Sequence, residues 1–339
     1  MTILVANYNT YFIKKVMTQE KTIWVFTDNR AGNNAQALGV AESTGYDFEI
    51  KRVEYTKAAV LPNFLRGSST IGIARETLEQ LQPPFPDFII AAGRRAAPLA
   101  RFIKKRSNGK TKIIQIMFPG LVGLNDFDLV VLPRHDGFTQ ERANILRLIG
   151  APNRVTEEKL AQEKTRWHDA LKDLPKPRIA LIVGGKTKNK PFTLAHAEEL
   201  AFLTNALRQK TDGGSLMVTT SRRTGEKQEE KLRSLLSDPK FFYSYQDGGD
   251  NPYFGFLAHA DAVIVTGDSM SMCSEACATT APVFIYAPDG FCAKKHQRLH
   301  KELYKEGYAR PLTPDAFDDL STHIPLNEAA IVARRIKND

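Results

Sequence analysis

The stretch "VIVTGDSMSMCSEACATTAPVFIY" (263–286) concentrates groups able to hold a charged, hydroxyl-rich ligand. A strand-like run ends at Asp268, a hydroxyl-rich turn carries Ser269, Ser271 and Ser274, and Glu275 falls in the first turns of a short helix. A carboxylate there can accept two hydrogen bonds from a ribose diol, while serines and free helix N–H groups take phosphate oxygens. The plainer alternative is that Ser269 or Ser271 caps the helix and Glu275 favours its positive end. Two further loops in the same half follow strand-like runs. "VGGKTKNKPF" (183–192) carries Gly184, Gly185 and Lys186, and "TTSRRTGEK" (219–227) carries Ser221, Arg222 and Arg223. Basic, hydroxyl-bearing loops at one sheet edge suit a diphosphate, because guanidinium groups grip phosphate oxygens in pairs.

Proton-transfer candidates lie in the first half. In "LPRHD" (132–136), His135 could take a proton from a hydroxyl, with Asp136 orienting its ring and Arg134 meeting negative charge. Alternatively, Asp136 caps a helix beginning near Phe138. Asp28 is a second candidate base, or an N-cap. It opens the loop "TDNRAGNNAQ" (27–36), where Gly32 allows a sharp turn and Asn33 and Gln36 offer neutral donors and acceptors. Lys295, in "CAKKHQRLHKEL" (292–303), and Arg310 are placed on the sugar side of such a site, Arg310 as a cleft-closing residue. No metal set emerges: Cys273 with Cys277, and His296 with His300, share helix faces without a four-ligand pattern. "DFD" (126–128) resembles a metal-binding Asp-x-Asp, but Asp128 opens a strand.

The elements that must position these groups alternate between strand and helix. Near-continuous apolar runs occur at 22–28, 48–55, 87–93, 112–117 and 128–133, and again at 178–185, 215–221, 241–245, 262–268 and 282–288. Runs of this kind are strands of parallel sheets covered by helices on both faces. The pattern predicts an α/β protein with two Rossmann-like, doubly wound parallel-sheet domains facing a cleft, ligands lying at the carboxyl ends of the strands. The division expected is an N-terminal extension at 1–20, a Rossmann-like domain at 21–150, a linker helix within 151–177 and a second Rossmann-like domain at 178–339. The last helix is a candidate to pack back on the first domain. Thr156 can cap the linker helix, and the prolines of "PKPR" (175–178) end it.

Composition sets bounds. With 339 residues, 42% hydrophobic and 25% charged, the chain has the makeup of a folded two-domain protein. The formal charge of +9 points to an anionic partner. Three clustered cysteines make no disulfide framework and indicate a reducing compartment. No run approaches the roughly 20 apolar residues of a spanning helix. The first residues lack the features of a signal peptide, so Met17 is a candidate start and the preceding segment an extension or a short surface-binding piece. The expected location is cytoplasmic, peripheral at an inner membrane face. Residues 91–112 concentrate cations around Leu99, Phe102 and Ile103, a composition that suits docking to anionic lipid headgroups or an ordinary helix packing on its sheet. No aromatic-interleaved basic motif points to nucleic acid.

The segments "S-x-S-M-x-S-E-A-x-x-T-x-x-P-V" (269–283), "VGG", "SRRT", "TDNRAGNNAQ" and "FDLVVLPRHD" (127–136) resemble the ELM-type mitochondrial fission family, over about residues 22 to 335. Bacterial members of that family are called nucleoside-diphosphate-sugar epimerase-like. The Ser-Glu-Ala region also resembles the sugar-nucleotide signature of glycosyltransferases of the two-domain GT-B fold. The resemblance implies a nucleoside-diphosphate sugar as substrate without a required cofactor, held by the C-terminal domain with ribose on Glu275, and an envelope or lipid-linked acceptor on the N-terminal side. A sugar-nucleotide epimerase and a non-catalytic scaffold are the alternatives it leaves. Two departures stand out. Asn33 replaces the histidine of the family's Ala-Gly-His loop, and Thr279-Thr280-Ala281 replaces a Thr-Gly before proline, stiffening a turn expected to hug the ligand.

Overall fold

The computed structural model describes residues 21–338; the extension expected at 1–20 lies outside the described residues. Strands β1 (Thr22–Thr27), β2 (Asp47–Arg52), β3 (Phe88–Ala92), β4 (Lys112–Ile116), β5 (Leu129–Pro133) and β6 (Ile145–Leu148) form one sheet in the order β2-β1-β3-β4-β5-β6. Strands β7 (Arg178–Ile182), β8 (Ser215–Thr219), β9 (Lys240–Tyr243), β10 (Ala262–Thr266), β11 (Val283–Tyr286) and β12 (Arg310–Pro311) form the other, in the order β12-β11-β10-β7-β8-β9. All pairings are parallel. The doubly wound α/β architecture read from the apolar runs is the architecture observed.

The reason lies in burial. Alternate residues of the central strands enter cores on opposite faces: Ile89 and Ala91 join one cluster, and Ile90 and Ala92 the other. Such strands must be apolar at every position. Two strands escaped the sequence reading. β6 is half-buried along most of its length and β12 has only two residues, so neither shows a continuous apolar run. The run read to 185 stops at Ile182: Val183 keeps one bond, to the Thr219 carbonyl at 2.9 Å, while the Gly184 and Gly185 amides turn to the side chains of Thr266 and Asp268.

Thr156 accepts the amide of Lys159 at 3.1 Å and opens the helix Glu157–Arg166. A break at Trp167 precedes a second short helix, His168–Leu171. Trp167 lies where a Cβ on Gly255 would sit 2.3 Å away, which locks this connection to the second lobe. The final helix, Glu328–Asn338, contributes Ala329, Val332 and Ile336 to the same core as Val25, Val40 and Ile114 of the first lobe. The chain therefore crosses between lobes twice. On the helix Ala97–Arg106, Leu99 and Ile103 are buried in the first-sheet core, so that apolar face meets the sheet and not a membrane. Among the described residues, no helix is long and apolar enough to cross a membrane.

Candidate functional site

The carboxyl ends of the two sheets face each other. Loops after β1, β5 and β6 meet loops after β10 and β11. A Cβ on Gly32 would lie 3.4 Å from Ser271 Oγ, Lys295 Nζ reaches Asp136 at 3.0 Å, Arg298 donates to the His135 carbonyl at 3.0 Å, and Ala151 donates its amide to Ser274 Oγ at 2.9 Å.

On the second lobe the organising group is Asp268, whose side chain is fully buried. Its Oδ2 accepts the Gly185 amide at 3.0 Å and pairs with Arg223 Nη1 at 2.6 Å. Ser221 Oγ donates to the Gly184 carbonyl at 2.6 Å, and Lys186 donates its amide to the Arg223 carbonyl at 2.9 Å. The loops after β7, β8 and β10 are thus laced into one unit. Neither glycine tolerates a side chain: a Cβ on Gly184 would lie 2.4 Å from the Asp268 carboxylate, and one on Gly185 would lie 2.1 Å from the Arg223 carbonyl. Lys186 and Arg222 stay exposed at the rim.

Ser269 and Glu275 occupy the next element, the helix Met270–Ala276. Ser269 Oγ caps it, accepting the Met272 amide at 3.4 Å. Glu275 is buried and accepts the Tyr253 hydroxyl at 2.5 Å. Burial pushes its carboxyl up to about 7, while the Tyr253 hydrogen bond pulls the other way. Ser274 does not face the cleft. Its hydroxyl donates to the Met270 carbonyl and accepts from Ala151, and the Gly150 backbone packs against it, making Ser274 a joint between lobes. The turn Thr279–Ala281 lines a separate hollow of about 580 Å³ behind the helix, with Leu160 and Leu257.

On the first lobe the candidates are engaged. Asp28 accepts Arg95 Nη2 at 2.7 Å and the Arg30 amide at 2.7 Å. Asn33 Nδ2 reaches the Ala92 carbonyl at 3.4 Å and lies 2.6 Å from where a Cβ on Gly93 would be, which explains a glycine there. Gln36 is buried in the first helix. His135 is buried at 4% exposure, and neither ring nitrogen makes a well-formed hydrogen bond, although the Ile149 backbone acts on the ring. Burial, aided by Lys295, lowers it to about 4, so the ring is neutral. Asp136 meets Lys295 rather than capping a helix near Phe138; Arg134–Asp136 form a short 3-10 turn and no helix follows. Arg310 does not close the cleft. On the edge strand β12 it is tied to Asp319 and donates to Ser321 Oγ at 2.7 Å. Asp126 and Asp128 are paired with Arg101 and Lys104.

Sequence reasoning missed three contributors. Tyr253 lies 22 residues from Glu275 and carries no local sign of its partner. Asp268 was readable as a strand end, not as the centre of the loops. His296 sits where Asp268, Lys295 and Arg223 all act on its ring, and its Nδ1 is buried without a partner. A cavity of about 420 Å³ also opens beyond the end of β11, lined by Glu199, Tyr286, Pro288, Asp289, Gln297 and Lys301. Cys273, Cys277 and Cys292 are buried and unpaired. Among the described residues, no group of three or more His, Cys, Asp or Glu side chains is arranged to hold a metal ion.

Two parallel-sheet lobes with their carboxyl edges opposed define a GT-B-like protein, and solved structures share that architecture. UDP-GlcNAc 2-epimerase from Neisseria meningitidis, in a structure bound to UDP-GlcNAc, superposes with a TM-score of 0.52 at 11% identity, over 94% of this chain and 98% of that one. At the level of sequence, the model of the mitochondrial fission ELM1 family matches residues 31–339, and the chain belongs to that family. It is 31% identical to the uncharacterized protein RP120 of Rickettsia prowazekii, over 93% of this chain and 97% of that protein. It is 30% identical to mitochondrial fission protein ELM1 of Arabidopsis thaliana, over 83% of this chain and 69% of that protein.

Proposed function

We propose that the protein binds a nucleoside-diphosphate sugar at the carboxyl edge of its second sheet and transfers the sugar to a hydroxyl acceptor presented by the first lobe. The carrying observation is the loop unit around Asp268. Gly184 and Gly185 bring bare backbone to the sheet edge, Arg223 is held in place, and Lys186 and Arg222 are left exposed. In this reading Ser269 and Ser271 line the diphosphate, and Glu275 takes the ribose once Tyr253 yields a hydrogen bond. Lys295, Gly32 and Asn33 border the sugar. The acceptor oxygen attacks the anomeric carbon, the bond to the diphosphate breaks, the hydroxyl proton passes to the departing diphosphate oxygen, and the cations stabilise the remaining charge with no cofactor required. His296, whose ring is acted on by the charges of Asp268, Lys295 and Arg223, is a further candidate to meet the leaving group. The acceptor proposed is an envelope or lipid-linked glycan, met from the cytoplasmic side at the inner membrane face. The UDP-GlcNAc held by the Neisseria epimerase supports the ligand class on the same architecture.

A non-catalytic binding protein is the second reading. The observations that favour it are the ion pairs that occupy Asp28 and Asp136, and Asn33 at the family's histidine position. An epimerase is the third, and predicts that the sugar nucleotide changes with no acceptor present. Calorimetric titration with UDP, GDP and UMP separates these readings from no ligand at all. Diphosphate-selective binding that is lost in Arg223→Ala and weakened in Glu275→Ala is expected. Equal failure of all three nucleotides removes both enzymatic readings together.

A further inference from the structure

The first lobe carries a surface that the cleft does not use. The turn Lys57–Val60 and the short helix Asn63–Arg66 expose Val60 at 78%, Phe64 at 62% and Leu65 at 59%, and Ile71 closes the same loop. The loop after β4 adds Leu121 at 64% and Val122 at 55%. The two loops are joined. Asn63 Nδ2 donates to the carbonyls of Arg94 and Pro119, each at 2.8 Å, and Arg101 donates to the Gly67 carbonyl at 3.0 Å while its guanidinium packs on Gly123.

The helix Asn63–Arg66 is inside out. Its buried members are the polar Asn63 and Arg66, and its exposed members are Phe64 and Leu65. Arg66 is 1% exposed and donates to the carbonyls of Ile71 at 2.9 Å and Arg95 at 3.1 Å. Single exposed apolar side chains are ordinary; six on two loops tied together by hydrogen bonds, with polar Asn63 and Arg66 turned inward, are not. The rim is cationic. Arg94 donates to the Leu61 carbonyl at 3.1 Å and is exposed, Lys57 begins the turn, and Lys105 lies one helical turn beyond Arg101. The bordering carboxylate, Asp126, is already paired with Arg101. Protruding apolar side chains ringed by cations match the boundary between headgroups and acyl chains of an anionic bilayer.

We propose that the patch of Val60, Phe64, Leu65, Ile71, Leu121 and Val122 inserts into an anionic lipid surface, with Lys57, Arg94 and Lys105 contacting its headgroups. The patch borders the cleft wall, since Arg66 binds the Arg95 carbonyl and Arg95 pairs with Asp28. Membrane docking needs no sugar nucleotide, so this surface stands or falls apart from the donor site.

The test is sedimentation of the full chain with vesicles of phosphatidylcholine alone or mixed with phosphatidylglycerol. Two double variants are compared, Phe64→Ser with Leu65→Ser, and Leu121→Ser with Val122→Ser. Wild type is expected to sediment with the anionic vesicles and to be released by salt. Each variant should lose roughly tenfold in partitioning, with an unchanged melting temperature and unchanged nucleotide binding. The proposal is overturned if wild type ignores anionic vesicles, if neutral vesicles bind it equally, or if both variants bind as wild type does. Patch-dependent self-association without vesicle binding would also overturn it, in favour of an interface between copies of the chain.

Discussion

The two carboxyl edges both belong to six-stranded parallel sheets, in different strand orders, and handle charge in opposite ways. At the first, the carboxylate is already engaged: Asp28 pairs with Arg95, Asn34 Oδ1 accepts the Asp28 amide at 2.8 Å, and Gln115 donates to the carbonyls of Gly93 and Ile116. At the second, one buried carboxylate gathers backbone and a guanidinium, and further cations are left pointing outward. An edge whose carboxylate and guanidinium neutralise each other offers little charge to an anion. An edge whose cations exceed its local anions is a receptor for a phosphate group. The fold is common to both lobes, and the difference in function between them resides in which partners each strand end meets.

The largest effect expected is that of Asp268→Ala. It strands the buried Gly185 amide and leaves the Arg223 guanidinium, one third exposed, to solvent, costing about 1.5–3 kcal/mol. Diphosphate binding should vanish with it. Asp28→Ala should cost a similar amount, about 1–3 kcal/mol, since it strands Arg95 and the Arg30 amide, but leave nucleotide binding intact. Thermal melts and calorimetry of the two variants would break the comparison if Asp28→Ala abolished binding while Asp268→Ala spared it.

Titration sharpens the contrast. Glu275 is raised from 4.5 to about 7, so the folded chain keeps a proton that the unfolded chain has lost. Its contribution to stability declines as pH rises from 4.5 to about 7, by on the order of 3 kcal/mol. His135 is lowered from 6.5 to about 4, so the unfolded chain takes a proton that the folded chain refuses. Its contribution is complete above 6.5 and is lost as pH falls toward 4, and His300, also lowered to about 4, acts in the same direction. The slopes oppose each other in the shared window. Glu275→Gln should therefore leave stability rising with pH, and His135→Asn should shift the balance toward stability falling with pH. Melting series from pH 4 to pH 7 would show parallel, unchanged profiles for both variants if these groups were not buried as described.

The smallest effect belongs to Lys295→Ala. Its ion pair with Asp136 spans the lobes but is 40% exposed on the lysine side, and exposed pairs contribute less than about 1 kcal/mol. The lobes remain joined through Ser274 with Ala151, and the final helix stays tied to the first lobe by Glu328, whose Oε1 accepts the Gly150 amide at 2.7 Å. Small-angle scattering should show no expansion. An opened particle would mean that the charged contacts, not these buried ones, hold the cleft closed.

Much of the molecule was legible before its structure. Central strands such as "DFIIAAG" and "VIVTGD" declare themselves because a strand buried on both faces has no polar position. The basic loops could be placed at one sheet edge because parallel strands put their following loops on the same side. Edge strands β6 and β12 were illegible, since partial burial relaxes that demand. The amphipathic stretch 97–106 fitted both a sheet and a membrane; burial of Leu99 and Ile103 decided for the sheet. The apolar run at 60–65 passed unnoticed, as nothing in it says that Asn63 and Arg66 turn inward while Phe64 and Leu65 turn out.

By itself the sequence determined the alternation of strand and helix and the two lobes, because burial leaves a periodic mark along the chain, while segments such as 269–283 carried the resemblance to the family. Only the tertiary structure decided which charged groups are spent and which are available. Asp268 meets an amide 83 residues away, Ser274 one 123 residues away and Asp28 a guanidinium 67 residues away. A hydrogen bond or ion pair depends on a few ångströms of distance, which the order of residues along the chain does not encode.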